Sequence, residues 1–271
     1  MASREHRYPE VDFPSVHVEE ILDLYFRNGC VLLRNCFSAR SVETLRANLA
    51  SIYRETEGPH VYPSDFQVRG LPAFHEQLFR WKHHGLVDSI FAGHLYAESA
   101  STVSRRVRLA DPGGHWLAPL APHFDALFHG YDFQINFWTP LHACDEEVPR
   151  LFVVPADFAE VIEYTGYNGQ PQGNIAWPGQ FDHFKQAVRA LYLENSPDDE
   201  YRARFGSRTW APEYRLGDAM LASNWTLHGT HAAPHMTAER ENVELRFACS
   251  APLTAIIEAQ ERWGRSIPKW W

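Results

Sequence analysis

Two short stretches constrain this chain more than any others. From Phe133 to Trp138, the apolar Phe133, Ile135 and Phe137 alternate with Gln134, Asn136 and Trp138; from Val243 to Ala248, Val243, Leu245 and Phe247 alternate with Glu244, Arg246 and Ala248. A period of two is the spacing of a β-strand whose faces meet different surroundings. The apolar faces need cover, and an inward-turned polar face makes sense if helices lie over the outer one. Further short apolar runs read as strands at Cys30–Leu33, Thr102–Leu109, 150–154 (RLFVV, stopped by Pro155) and 219–223, the last entered through a Gly217-Asp218 turn. Helical patterns come earlier. Residues 16–27 (VHVEEILDLYFR) read as an amphipathic helix stopped by Asn28-Gly29, and Ser38 suits an N-cap before Val42, Leu45, Leu49 and Ile52. Two weaker helices are predicted near 72–82 and 86–97. Helices first and short strands afterwards predict an α+β, mainly β fold, with a sandwich or barrel of antiparallel strands.

The stretch 156–215 differs in kind. It holds glycines and prolines from Tyr167 to Gly179, a predicted helix at 180–194 and the acidic Ser196-Pro-Asp-Asp-Glu200. Long connections inside a domain tend to be functional or disordered. Aromatic residues among hinge-capable glycines make this one an expected lid, inserted in a single domain spanning 1–271.

Composition narrows the partners. A net charge of −9 argues against nucleic acid or an anionic membrane, and leaves a small molecule as the expected partner. The four cysteines show no CxxC pair and no zinc spacing, so free thiols in a reducing compartment are expected. The polar opening MASREHRYPE lacks an apolar leader core, and no stretch approaches the roughly 18 apolar residues of a membrane span. A cytoplasmic location follows as the expectation; no feature specifies an oligomeric state.

Chemistry concentrates just before the first alternating strand, at His123-Phe124-Asp125. Residues two apart on an extended chain point to one side, so an imidazole and a carboxylate there could take adjacent positions on one metal ion. With 15 histidines in the chain, a His-x-Asp triplet arises by chance about 0.7 times, so the triplet alone carries little. A third ligand at His228, with His231 and His235 as competitors, would complete a 2-His-1-carboxylate facial triad, which leaves positions open for co-substrate and O₂. Aromatic residues gather around the triplet, among them Trp116, Phe124, Phe128, Tyr131 and Trp138. Arg105, Arg106 and Arg108 form a basic strand expected to carry solvated charge.

Several features stand in a telling order: a helix–Gly–strand–helix opening, His123-x-Asp125, an aromatic strand ending Trp138-Thr-Pro-Leu141, an apolar strand ending at Pro155, Gly217-Asp218, His228-Gly229 and Arg240-x-Asn-Val. Over roughly residues 20–250 this resembles the phytanoyl-CoA dioxygenase family of Fe(II)/2-oxoglutarate oxygenases. The resemblance implies a double-stranded β-helix (a cupin-like jelly roll) braced by N-terminal helices. It implies Fe(II), 2-oxoglutarate and O₂ as cofactors, with His123, Asp125 and His228 as the catalytic metal ligands. Arg240, twelve residues past His228, would bind the distal carboxylate of 2-oxoglutarate, with Arg246 as second choice. Gln134, Asn136 and Trp138 would line the co-substrate pocket, and Arg150, Phe128 and Trp116 the substrate side. A carboxylate at 125 leaves no vacancy for halide, so hydroxylation, desaturation or ring closure of a small metabolite is expected rather than halogenation. This chain departs from the family at the substrate mouth, with Val148-Pro149-Arg150 and Ala156-Asp157-Phe158 in place of the usual Asn-Gly and Gly-Ser-His. Two other readings stand beside this one: a jelly-roll metal hydrolase or isomerase, and a non-catalytic small-molecule binding protein.

Overall fold

The structure is a computed structural model that describes residues 8–56, 65–68, 74–99, 102–107, 125–126, 132–158, 160, 206–233 and 235–262. The first helix, α1 (Val18–Asn28), forms where expected and buries Ile21, Leu22, Tyr25 and Phe26. It stops at Gly29, whose φ of 67° only glycine adopts without strain, and whose N–H donates to Tyr25 O at 2.7 Å. Strand β2 (Cys30–Arg34) follows, preceded by a short edge strand β1 (Glu10–Asp12). Helix α2 (Ala39–Thr56) starts after Ser38, whose Oγ accepts the Ser41 N–H at 3.1 Å.

The next two helices are cut differently from the expectation. They are α3 (Phe74–Leu78) and α4 (Trp81–Phe91), and the break falls at Phe79-Arg80. Arg80 is extended (φ −131°, ψ 178°), and its N–H donates to His83 Nδ1 at 2.9 Å, a side-chain cap that no glycine or proline announces. Ala92 (φ 52°) ends α4, so residues 92–96 leave the helix before the two-residue strand β4 (Ala97–Glu98). The order of helices before strands also misses α5 (Leu253–Arg262), which follows the last strand. Buried Gln260 pins it to α4, donating to Ser89 O at 2.6 Å and Ile90 O at 3.0 Å, carbonyls of the last helical turn.

The remaining strands are β3 (Asp65–Val68), β5 (Val103–Val107), β6 (Phe133–Pro140), β7 (Arg150–Val153), β8 (Ala219–Ser223), β9 (His228–His231) and β10 (Arg240–Cys249). The large sheet runs β1-β2-β8-β6-β10-β5-β3, with β4 also paired to β10; β7 and β9 form a second sheet. Only β1–β2 is parallel among these pairs. From β6 to β10, successive strands alternate between the two sheets. The predicted turn at Asp111–Gly114 and most of 156–215 lie outside the described residues.

Register sorts the side chains into two cores. Val31, Leu33, Ile135, Phe137, Leu221, Val243, Leu245 and Phe247 pack on the helices. On the opposite face Cys30, Leu32, Trp138, Met220 and Ala222 meet Leu151, Val153, Trp210 and Tyr214 between the sheets. The Gly217-Asp218 turn locks this arrangement. A Cβ at Gly217 (φ 94°) would come within 2.3 Å of Phe37 O. The buried Asp218 carboxylate accepts from Arg34 Nη1 (2.6 Å), Asn35 N–H (3.1 Å) and Arg215 N–H (2.8 Å). All four cysteines are buried and free. No helix among the described residues is long and apolar enough to cross a membrane.

Candidate metal centre

Pairing of β7 with β9 decides which way each histidine points. Val153 pairs with His228 and Leu151 with Thr230, while Phe152 pairs with Gly229 and Arg150 with His231. Leu151 and Val153 belong to the core between the sheets, so their partners His228 and Thr230 share that inner face. His231 and Arg150 fall on the outer face. Burial there, with Arg150 and His235 nearby, holds the His231 pKa below its ordinary value.

His228 Nδ1 lies 2.8 Å from Thr226 O. A carbonyl only accepts, so Nδ1 carries the hydrogen and a neutral ring presents Nε2 as a lone pair. Nε2 faces Asp125 Oδ1 at 3.7 Å. Asp125 is 3% exposed, and Asn224 ties its turn to β6: Ala126 N–H donates to Asn224 O (2.9 Å), Asn224 N–H to Gln134 O (2.8 Å), and Gln134 N–H to Asn224 Oδ1 (3.0 Å).

The other Asp125 oxygen, Oδ2, is 3.1 Å from Arg246 Nη2, which also reaches Glu244 Oε2 at 2.5 Å. Glu244 Oε1 accepts from Asn242 Nδ2 at 3.2 Å, and Asn242 Oδ1 from Arg240 Nε at 3.1 Å. Residues 240, 242, 244 and 246 thus form a continuous polar ladder on the inner face of β10. Burial works against charge on Arg246, and the Asp125 and Glu244 carboxylates outweigh it, holding the guanidinium pKa above its ordinary value. Burial likewise pushes the Glu244 carboxyl up, but Arg246 and then Arg105 hold it below the usual carboxylate range.

Arg240 is buried at the far end of the ladder. It lies 3.4 Å from Thr230 Oγ1 through Nη1 and 5.5 Å over the Trp138 ring, which in turn packs on Tyr214. Gln134, Asn136 and Trp138 share the same inner face, each paired with an inward residue of β10: Ala248, Arg246 and Glu244. Asn136 Oδ1 is buried there with no hydrogen-bond partner among the described residues.

Of the residues picked from sequence, Gln134, Asn136, Trp138, Arg240 and Arg246 share the inner face of the large sheet, with His228 on the inner face of the small sheet and Asp125 on a turn beside them. His123, Phe128 and Trp116 lie outside the described residues. Arg150 does not join the group: it stands on the outer face, donating through Nε to Ala211 O (3.1 Å) and through Nη1 to Asp145 O (2.7 Å). Arg105 and Arg106 are half-buried rather than solvated. Arg105 shares the inner face opposite Asn242, and Arg106 donates to Glu241 Oε1 through Nε (3.0 Å) and Nη2 (2.9 Å). Thr230 and Asn224 are not among the residues singled out in the sequence, and Asn242 enters there only within Arg240-x-Asn-Val, with no role of its own. The period of two along β10 could have exposed Asn242, but nothing local marks the other two. Among the described residues, no three His, Cys, Asp or Glu side chains converge as a metal-binding group; the described part is the Asp125–His228 pair.

No family model and no curated protein matches this chain. Solved structures do. The epimerase SnoN, described as non-haem and α-ketoglutarate-dependent, from nogalamycin biosynthesis, in complex with Fe³⁺, α-ketoglutarate and nogalamycin RO, superposes with a TM-score of 0.56 at 15% identity, over 90% of this chain and 89% of its own. HygX from Streptomyces hygroscopicus, with nickel and 2-oxoglutarate bound, gives 0.55 at 13% identity, over 84% and 86%. AviO1 from Streptomyces viridochromogenes Tue57 gives 0.52 at 12%, over 88% and 97%. The chain therefore has a sheet-dominated α+β fold like that of these structures.

Proposed function

We propose that this protein is an Fe(II)- and 2-oxoglutarate-dependent oxygenase acting on a small-molecule metabolite, built on a double-stranded β-helix of the phytanoyl-CoA dioxygenase type. One observation carries the reading. His228 Nε2, left with its lone pair by the Nδ1–Thr226 contact, faces the buried Asp125 Oδ1 at 3.7 Å. Two acceptors converging in a protein interior suit a cation between them, and a ligating imidazole ordinarily donates its second nitrogen's hydrogen to a carbonyl in this way. His123, two residues before Asp125, supplies the third ligand in this reading. The alternation of strands between two sheets, and neighbours that include an iron- and α-ketoglutarate-bound epimerase and a nickel- and 2-oxoglutarate-bound protein, support it.

Fe(II), 2-oxoglutarate and O₂ together supply an oxidation that splits the keto acid to succinate and CO₂ and removes hydrogen from an unactivated C–H. The chain's own residues hold and orient. His228 and Asp125 present one nitrogen and one oxygen to the metal. Arg240 sits beside Thr230, two residues or about 7 Å along β9 from His228. That separation matches the span of a five-carbon dicarboxylate, and the planar guanidinium suits its far carboxylate. Trp138 closes one side, and Asn136, paired with Arg246, offers an amide at the metal end, with Gln134 one step beyond it. Arg246 is committed to Asp125 and Glu244 at the other end, which favours Arg240 as the anchor.

Hydroxylation is the proposed outcome, and product mass separates it from epimerisation: one oxygen gained against no change. The direct test is anaerobic titration with Fe(II) and then 2-oxoglutarate, watched for a visible band that needs both. We expect the band in the native protein and its loss in Asp125→Asn and His228→Gln. A band that survives either change, or that appears equally in His228→Gln and His231→Gln, would refute the ligand set.

A further inference from the structure

We infer that Arg246 is a positioning residue for Asp125: it holds Oδ2, so that Oδ1 alone turns toward His228, and Glu244 and Asn242 hold it in turn. The inference rests on the reading of Asp125 and His228 as metal ligands. A carboxylate can offer a metal one oxygen or both, and its terminal torsion is broad, so something must fix the choice. Here the two oxygens have different neighbours, His228 Nε2 at 3.7 Å from Oδ1 and Arg246 Nη2 at 3.1 Å from Oδ2. An ion pair at Oδ2 draws that oxygen aside and favours single-oxygen ligation, which keeps another position open for the co-substrate.

The guanidinium can do this because it is itself fixed. Nη2 is shared with Glu244 Oε2 at 2.5 Å, and the second Glu244 oxygen accepts from Asn242 at 3.2 Å. Both Arg246 and Glu244 are buried, so their geometry is held by packing as well as by charge. Lysine could not substitute fully, since its ammonium is a point charge on a flexible stem, whereas the rigid planar guanidinium holds Nη2 between both carboxylates.

The test compares Glu244→Gln with the double change Glu244→Gln/Arg246→Met, so that removing the guanidinium leaves no bare buried carboxylate at 244. Co(II) is the probe, since its visible absorption reports ligand number as well as affinity. We expect the double variant to bind Co(II) about 10–100-fold more weakly than Glu244→Gln, the usual effect of losing a partner that orients a metal ligand. Its absorption should weaken as Oδ2 joins the metal and coordination number rises, and Arg246→Lys should recover part of the affinity. Equal affinity and equal spectra in the two folded variants would overturn the inference. Should the double variant fail to fold, Arg246→Lys carries the test: weaker Co(II) binding at a native unfolding midpoint supports the role, and native affinity with a native spectrum removes it. Failure of the metal centre itself looks different, because the native protein would then show no Co(II) binding that Asp125→Asn and His228→Gln abolish.

Discussion

Both ring nitrogens of His83 are committed, which makes it a pH-sensitive residue far from the candidate metal centre. Nδ1 accepts the Arg80 N–H at 2.9 Å, so Nε2 carries the hydrogen donated to Cys36 O at 2.8 Å. The ring stacks on Phe37 and Phe79 and touches Phe13. Burial among these rings holds its pKa below the ordinary imidazole value, and a second proton on Nδ1 would point at the Arg80 N–H. The folded state therefore stays neutral at a pH where the unfolded chain, titrating near about 6.5, already takes a proton. Stability contributed by the neutral ring is full above that pH and falls as pH drops below it, levelling off once the folded pKa is passed. In His83→Gln the fall in stability between pH 7 and pH 5.5 should shrink by up to about 1.4 kcal/mol per pH unit, measured by chemical unfolding. An unchanged slope would mean that His83 already titrates normally in the fold.

Among the elements, β10 carries most of the chemistry and was among the easiest to read. Residues 243–248 alternate plainly and put Glu244 and Arg246 on one face from sequence alone, whereas Arg240 joins them because the strand extends back to it. Strands β6 and β8 and helix α1 were legible for the same reason: each packs one or both faces against a core, and the pattern records it. Strand β9 was not legible. His228-Gly-Thr-His231 is too short and too polar to show a period, and only its pairing with β7 separates His228 from His231. That pairing also turns Arg150 outward, which no local pattern at 148–150 reveals. Helix α5 could have been found, since Leu253, Ile256, Ile257 and Gln260 fall at helical spacing. The break between α3 and α4 depends on a histidine cap rather than on glycine or proline, so residue type gave no sign of it. The placement of Arg240 and Arg246 at opposite ends of the β10 ladder makes a prediction for the element. Arg240→Ala should weaken 2-oxoglutarate binding by about 10–100-fold, the worth of a charge-assisted contact, while Fe(II) affinity changes little. Titration of each ligand against the variant checks this; if Arg246→Lys instead shows the selective loss, the two arginines exchange roles.

At the scale of the whole molecule, the candidate site draws on both sheets at once. His228 and Thr230 come from the small sheet, Arg240 to Arg246 and Gln134 to Trp138 from the large one, and Asp125 from a turn tied to β6 by Asn224. Apolar packing joins the sheets through Trp138, Met220, Leu151 and Val153. A metal and co-substrate bound among these residues would add a second tie, absent from the unfolded chain. Anything that binds only the folded state stabilises it by mass action, about 2.7 kcal/mol at a hundred times its dissociation constant. For a chain of this size that corresponds to a rise of about 5 °C in the unfolding midpoint. Thermal unfolding with Co(II) and 2-oxoglutarate together should therefore move one cooperative transition upward by roughly this amount. Asp125→Asn should abolish the shift, because it removes the oxygen that faces His228. A shift that persists in that variant would place the bound metal elsewhere on the protein. Two transitions, of which the ligands move only one, would show that residues 1–271 do not unfold as a single domain.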